Sequence, residues 1–138
     1  MAYALLSGVY ANTGRSAEAP VFSRRAFELR DRVSERERFF ISWRYYHDAT
    51  QDWNKAFDLA RSWTATYPRE AFAFNSLGAA NSFFGQYGPA VEAFREALRL
   101  DGMFIAAQEN LASALAALNR FDEAKEVVQQ AGVMSASR

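Results

Sequence analysis

Residues 85–98, GQYGPAVEAFREAL, are echoed by residues 51–64, QDWNKAFDLARSWT, and by residues 119–132, NRFDEAKEVVQQAG. Ala56, Ala90 and Ala124 are evenly spaced, at an interval of 34 (90 − 56 and 124 − 90). The turn residues Gln51, Gly85 and Asn119 keep the same interval, as do the aromatics Trp53, Tyr87 and Phe121. Self-similarity at a fixed period of this length marks stacked repeats, each too small to bury its apolar face alone. A further copy, YALLSGVYANTGRSAEA, aligns when Gly14 matches Gln51 and Ala19 matches Ala56, both at a separation of 37 (51 − 14 and 56 − 19). Three extra residues (37 − 34) therefore lie between repeats one and two, near RDRVSERERFF. Ser34 followed by Glu37 is a capping-box signature for a new helix there. The extra residues are expected to lengthen the preceding helix by about one turn.

Each repeat reads as two helices. In repeat three Phe74, Leu77, Gly78 and Asn81 recur at the spacing of one helical face, and Ala90, Phe94 and Ala97 do so after the turn. Pro68 and Gly102 close repeats, as helix-stopping residues do. The glycines of GAANSFFGQYG, residues 78–88, then have structural tasks. Gly78 lets a neighbouring helix approach, Gly85 supplies a left-handed helix end, and Gly88 is expected as the N-cap before Pro89. The competing reading, a phosphate loop, needs a lysine and a hydroxyl after the second glycine, whereas Gln86, Tyr87 and Pro89 follow here. A dinucleotide fingerprint needs a preceding strand, and none is expected before Gly78.

With FNSLGAAN, AVEAF and Gly102 in repeat three, and QENLASAL, AKEVV and Ala131 in repeat four, the chain resembles the tetratricopeptide repeat family. YALLSGVY with Ala26 extends the resemblance to repeat one. Repeat two departs most: Arg44 stands where Gly78, Ala112 and Ser7 stand, and Trp63 where Ala26, Ala97 and Ala131 do. RVSERERFFISWRYY and WTATYPRE also resemble repeat regions found C-terminally in bacterial serine/threonine kinases and transcriptional regulators, although these residues contain no kinase or DNA-reading motif. The resemblance implies an all-α, right-handed solenoid of about four helix-turn-helix units, about eight antiparallel helices, at approximately 1–33, 37–70, 71–104 and 105–138. These are expected to form a single domain. It also implies that the first helices of the repeats line a concave groove for an extended peptide.

Helical spacing assigns that groove Ala4, Gly8 and Ala11, then Arg38, Ile41, Tyr45 and Asp48. Phe72, Asn75, Ala79 and Ser82 follow, then Glu109, Ser113 and Ala116. Asn75 is expected to hold a peptide backbone, and Tyr45 and Phe72 to offer rigid apolar area. Family members that clamp a terminal carboxylate use several lysines, arginines and asparagines. Only Arg38 and Asn75 resemble such a set, so that mode is not expected.

Sixteen basic and sixteen acidic residues cancel, which argues against nucleic acid or an anionic membrane as a partner. With no cysteine there is neither a disulfide framework nor a thiolate metal site. No apolar run reaches a membrane-spanning length and no signal peptide is evident, so a soluble, cytoplasmic location is expected. The first residues read as mid-helix, which suggests a piece of a longer protein.

His47 is the single histidine and is expected as a packing residue that makes no contact with adjacent Asp48. Arg24 with Glu28, and Glu28 with Arg32, are spaced for ion pairs. Trp43 and Trp63 are expected in the core and Trp53 as a turn anchor. On the last helix, about Asp122 to Ala131, Lys125, Glu126 and Gln129 give a polar outer side. Val127, Val133 and Met134 do not, so self-association or a neighbouring domain is expected there. No catalytic residue, metal ligand or cofactor is expected. The function read from sequence is a non-catalytic protein-interaction scaffold, the alternative being a regulatory segment of a larger bacterial signalling protein.

Overall fold

A computed structural model describes residues 1–13 and 17–137, with the side chains of Ser7, Ala11, Asn12, Met134 and Ser135 left undescribed. Gly14 therefore lies outside the described residues, and so do the side chains of Ser7, Ala11 and Met134. The described chain is all-α. Its helices are α1 (Ala2–Asn12), α2 (Ala19–Glu28), α3 (Glu35–Arg44), α4 (Trp53–Thr66), α5 (Ala71–Phe83), α6 (Tyr87–Leu100), α7 (Ile105–Ala117) and α8 (Phe121–Ala136). The chain forms two compact bodies, Met1–Ser62 and Trp63–Arg138, with α4 running through the division.

In the first body α1 packs on α2, and α3 packs on both. Ala4, Ala26 and Ile41 form a buried cluster edged by Phe27, Val33 and Phe40. In the second body α5 packs on α6, α6 on α7, α7 on α8, and α5 also on α7. Its core is Ala90, Val91, Phe94, Leu111, Ala114 and Leu115, with Tyr87, Leu98, Ala124 and Val127 packed around it. Val127 thus faces the core, and its neighbour Val128 is the exposed valine of the pair. Helix α8 also runs past the expected Ala131.

The constant repeat interval has a backbone cause. Gln51, Gly85 and Asn119 all have positive φ, at 52°, 72° and 59°. At Gly85 the Gln86 amide donates to the Asn81 carbonyl (2.9 Å) and the Gly85 amide to the Ser82 carbonyl (3.0 Å). At Asn119 the Arg120 and Asn119 amides donate to the carbonyls of Leu115 and Ala116, both at 2.9 Å. These are Schellman ends, which satisfy the last carbonyls of a helix and reverse the chain into the next one.

Glutamine suits this backbone least, because a Cβ in the left-handed region costs about 1–2 kcal/mol. Gln51→Gly removes that strain and adds about 0.5–1 kcal/mol of unfolded-chain entropy. A net gain of about 0.5–1 kcal/mol is expected from these opposing terms. Thermal denaturation checks it, and a lower melting temperature would contradict the strain argument.

The three extra residues do not lengthen α2. That helix stops at Glu28 and a 3₁₀ turn, Arg30–Arg32, follows. The step from Ala19 to the start of α3 is 16 (35 − 19), against 15 from Ala56 to α5 (71 − 56) and from Ala90 to α7 (105 − 90). The step from the start of α3 to Gln51 is also 16 (51 − 35), against 14 from α5 to Gly85 (85 − 71) and from α7 to Asn119 (119 − 105). One extra residue therefore sits in the connector and two in the third helix, which continues from Arg44 as a π-helix, Tyr45–Thr50. The wide π turn takes up added residues with little added length.

The capping box forms as expected. The Glu37 amide donates to Ser34 Oγ (3.3 Å), and the Ser34 amide and hydroxyl donate to Glu37 Oε2 (3.0 and 2.8 Å). These bonds hold the Glu37 carboxyl below the usual carboxylate range. Helix α6 begins at Tyr87 with Gln86 as N-cap, so Gly88 is inside the first turn and is not the cap. Pro89 in that turn lacks an amide hydrogen that the helix would leave unused.

Candidate functional site

In the second body, α5 and α7 lie side by side and present Ala79, Ser82, Asn110 and Ser113 to one shallow cavity of about 330 Å³. Phe94 and Ala114 form part of its apolar floor. Asn110 Nδ2 donates to Asn75 Oδ1 at 3.1 Å, which ties α7 to α5 beside the cavity. Asn75 is buried, so its amide oxygen serves the helix pair and is committed before any peptide arrives. Ser113 Oγ donates to the Glu109 carbonyl at 2.9 Å and leaves its lone pairs at the exposed rim. Phe72 stands apart from this cavity, stacked on Phe104 (6.0 Å between centroids) and tilted against Trp63 (5.6 Å).

In the first body the four groove residues read from spacing on α3 and the π-helix that continues it have four different environments. Arg38 is exposed. Ile41 is buried against Ala4 and Ala26, so neither Ile41 nor Ala4 has surface to offer a ligand. The reason is the contact of α1 with α3: the face assigned to a groove is the face on which these helices pack. Tyr45 is half-buried, stacked on Phe27 at 3.9 Å. Asp48 is an internal counterion. Its Oδ2 meets Arg44 Nη2 at 2.6 Å and accepts from Ser23 Oγ at 3.1 Å. Burial pushes the Arg44 guanidinium below its ordinary pKa, and Asp48 opposes that shift.

His47 Nδ1 also approaches Asp48 Oδ1, at 2.6 Å, against the expectation that adjacent residues do not meet. The π winding changes the angular step between residues and brings the two side chains together. The His47 ring packs on Trp43 (5.6 Å) and edge-to-face on Trp53 (5.1 Å), in keeping with a packing role. Trp43 and Trp63 are buried, as expected. Arg24 donates to the Ala49 carbonyl (3.2 Å), and Arg25 pairs with Glu28 (2.9 Å) in the place expected for Arg24.

Sequence reading missed Arg44 as a partner of Asp48, although their i, i+4 relation on one helix was a usable signal. It also missed Asn110, whose role depends on a neighbour from another helix.

A family model for the tetratricopeptide repeat matches residues 73–102 and 105–131. Residues 73–131 carry two tetratricopeptide repeats. The matched segments hold most of α5, all of α6 and α7 and most of α8, and α5, α6 and α7 line the 330 Å³ cavity. Solved structures extend the likeness in fold over nearly the whole chain. "MamA 41-end from Desulfovibrio magneticus RS-1" aligns with TM-score 0.70 at 18% identity, over 99% of this chain and 75% of that one. "MamA AMB-1" aligns with TM-score 0.65 at 19% identity, over 99% and 79%. A further crystal structure of MamA gives 0.68 at 21% identity, over 98% and 77%. At these identities the likeness concerns the fold alone. No curated protein matches the sequence itself.

Tetratricopeptide repeats are protein-interaction scaffolds, which places this chain in that broad class. Among the described residues no helix is long and apolar enough to cross a membrane. No cluster of three metal-ligating side chains occurs among them either.

Proposed function

We propose that the chain is a non-catalytic scaffold whose tetratricopeptide repeats, acting as one domain, bind an extended peptide segment of a protein partner. The observation carrying this reading is the cavity between α5 and α7, with an apolar floor at Ala79, Phe94 and Ala114 and hydroxyl and amide groups at Ser82, Ser113 and Asn110. Such a surface fits a peptide main chain, which needs hydrogen-bond partners along its edge and small side chains beneath it. Glu109 at the exposed edge favours a neutral or basic segment. Phe72, in the same body, remains a candidate contact in this proposal, and Arg38 and Tyr45 remain candidate contacts on the first body. Ile41, Asp48 and Asn75 support the scaffold.

Ala79→Arg and Ser113→Arg, each placing a long charged side chain in the cavity, are expected to weaken binding of peptides selected from a displayed library by about tenfold or more. Circular dichroism should show the fold retained, because neither residue is in the buried core. Unchanged affinity in both variants would move the peptide site elsewhere.

A further inference from the structure

We infer that the first and last helices are two halves of one interface, so that α1 of one copy docks on α8 of a second copy, head to tail. The repeat itself supplies the template. Within the second body α7 packs on α6, and the side of α7 turned to the α5–α6 pair carries Asn110, Leu111 and Ala114. Three repeat intervals toward the N-terminus, two of 34 and one of 37, Leu5, Leu6 and Val9 of α1 occupy those positions. Leu111 and Ala114 are buried, whereas Leu5 and Val9 are each 55% exposed and Leu6 is 39% exposed.

The matching half is on α8. Tyr87 and Phe94 of α6 edge and fill the core that α7 closes. One repeat further on stand Phe121 and Val128, which are 56% and 60% exposed, whereas Phe94 is 1% exposed. Exposed apolar side chains one and two turns apart on a helix mark an interaction surface. Residues 2–12, AYALLSGVYAN, carry no charged side chain, so a helix with this sequence enters an apolar contact without stranding an ion. Lys125 takes the place of Val91 on the receiving side, where its methylene stem covers apolar surface while the ammonium reaches water. A second copy is the occupant that carries the missing half in the right register, because its α1 follows the pattern by which α7 already fits α6. The contact uses different surfaces on the two copies, so each added copy offers a free half to the next and assembly proceeds beyond the dimer, to a ring or an open chain.

Sedimentation velocity of the full chain over a concentration series tests this, with two variants at exposed positions. The unaltered chain is expected to shift from monomer to dimer and longer species as concentration rises. Leu6→Arg and Val128→Arg should each weaken association about tenfold or more when studied alone. Mixed together, they should form a one-to-one dimer and nothing longer, because each retains the half that the other lacks. A chain that stays monomeric at its highest soluble concentration would overturn the inference. So would variants that associate like the unaltered chain, or a mixture that stays monomeric. Circular dichroism of both variants separates loss of contact from loss of fold.

Discussion

Asp48→Asn is expected to lower the stability of the chain by about 3–5 kcal/mol, the cost of leaving one member of a buried ion pair without its counterion. The Arg44 guanidinium is 12% exposed and the Asp48 carboxylate 5%, with 2.6 Å between them. Asparagine keeps the shape and its one oxygen can still accept from Ser23, so the change removes the charge and replaces the oxygen facing His47 Nδ1 with an amide nitrogen. Burial already works against the charged guanidinium, and the carboxylate is what opposes that. Chemical denaturation should show an earlier midpoint with an unchanged slope. Arg44→Met combined with Asp48→Leu should recover most of the loss, because well-packed apolar replacements of buried pairs are often neutral or better. A loss below about 1 kcal/mol would mean that water reaches the pair as it does a surface bridge.

Gly78→Leu should cost about 3 kcal/mol, at the upper end of what overfilling a packed contact typically does. A Cβ on Gly78 would lie 2.4 Å from Phe94 Cε1 and 2.8 Å from Cζ. That ring is packed in one buried cluster with Val91, Leu111 and Leu115, and the cavity between α5 and α7 is the one described space it borders. Two effects compete in the smaller change Gly78→Ala. Helix propensity favours alanine by about 1 kcal/mol, and the clash opposes it by about 1–3 kcal/mol. Gly78→Ala is therefore expected to be neutral to destabilising by about 2 kcal/mol, with Phe94→Leu beside it restoring part of the loss through the shared volume. Thermal melts of the single and double variants measure that coupling, and strictly additive changes would contradict a direct contact.

The helix pairs were legible in the sequence because their period is written in turn chemistry. Gln51, Gly85 and Asn119 recur at the repeat interval and share one left-handed backbone state, and two of the three residue types adopt it readily. Gly78 was legible for a similar reason, since a glycine inside an amphipathic helix points to close approach. The insertion was visible as a count, but spacing could not say that it divides between a connector and a π-helical end. That division depends on which hydrogen bonds the backbone finds once α2 and α3 pack. Candidate site residues were assigned by treating each first helix as having one packed face and one open face. Ala4, Ile41 and Asn75 contradict that scheme, because successive first helices also pack on each other. Ala79 and Ser82 lie one and two turns further along the face that carries Asn75, and they share the cavity with Ser113.

The pairing of helices within the second body has a kinetic consequence. Each helix there packs on the next one in the chain, and the longest-range pairing, α5 with α7, joins helices whose first residues, Ala71 and Ile105, are a single repeat apart. Short loops close early and cheaply, so the search for native contacts is local. Helical folds of such low contact order reach the native state in roughly microseconds to milliseconds. The two Schellman turns lie at the loops that must close first, which makes Gly85 and Asn119 natural places to look for slowed refolding.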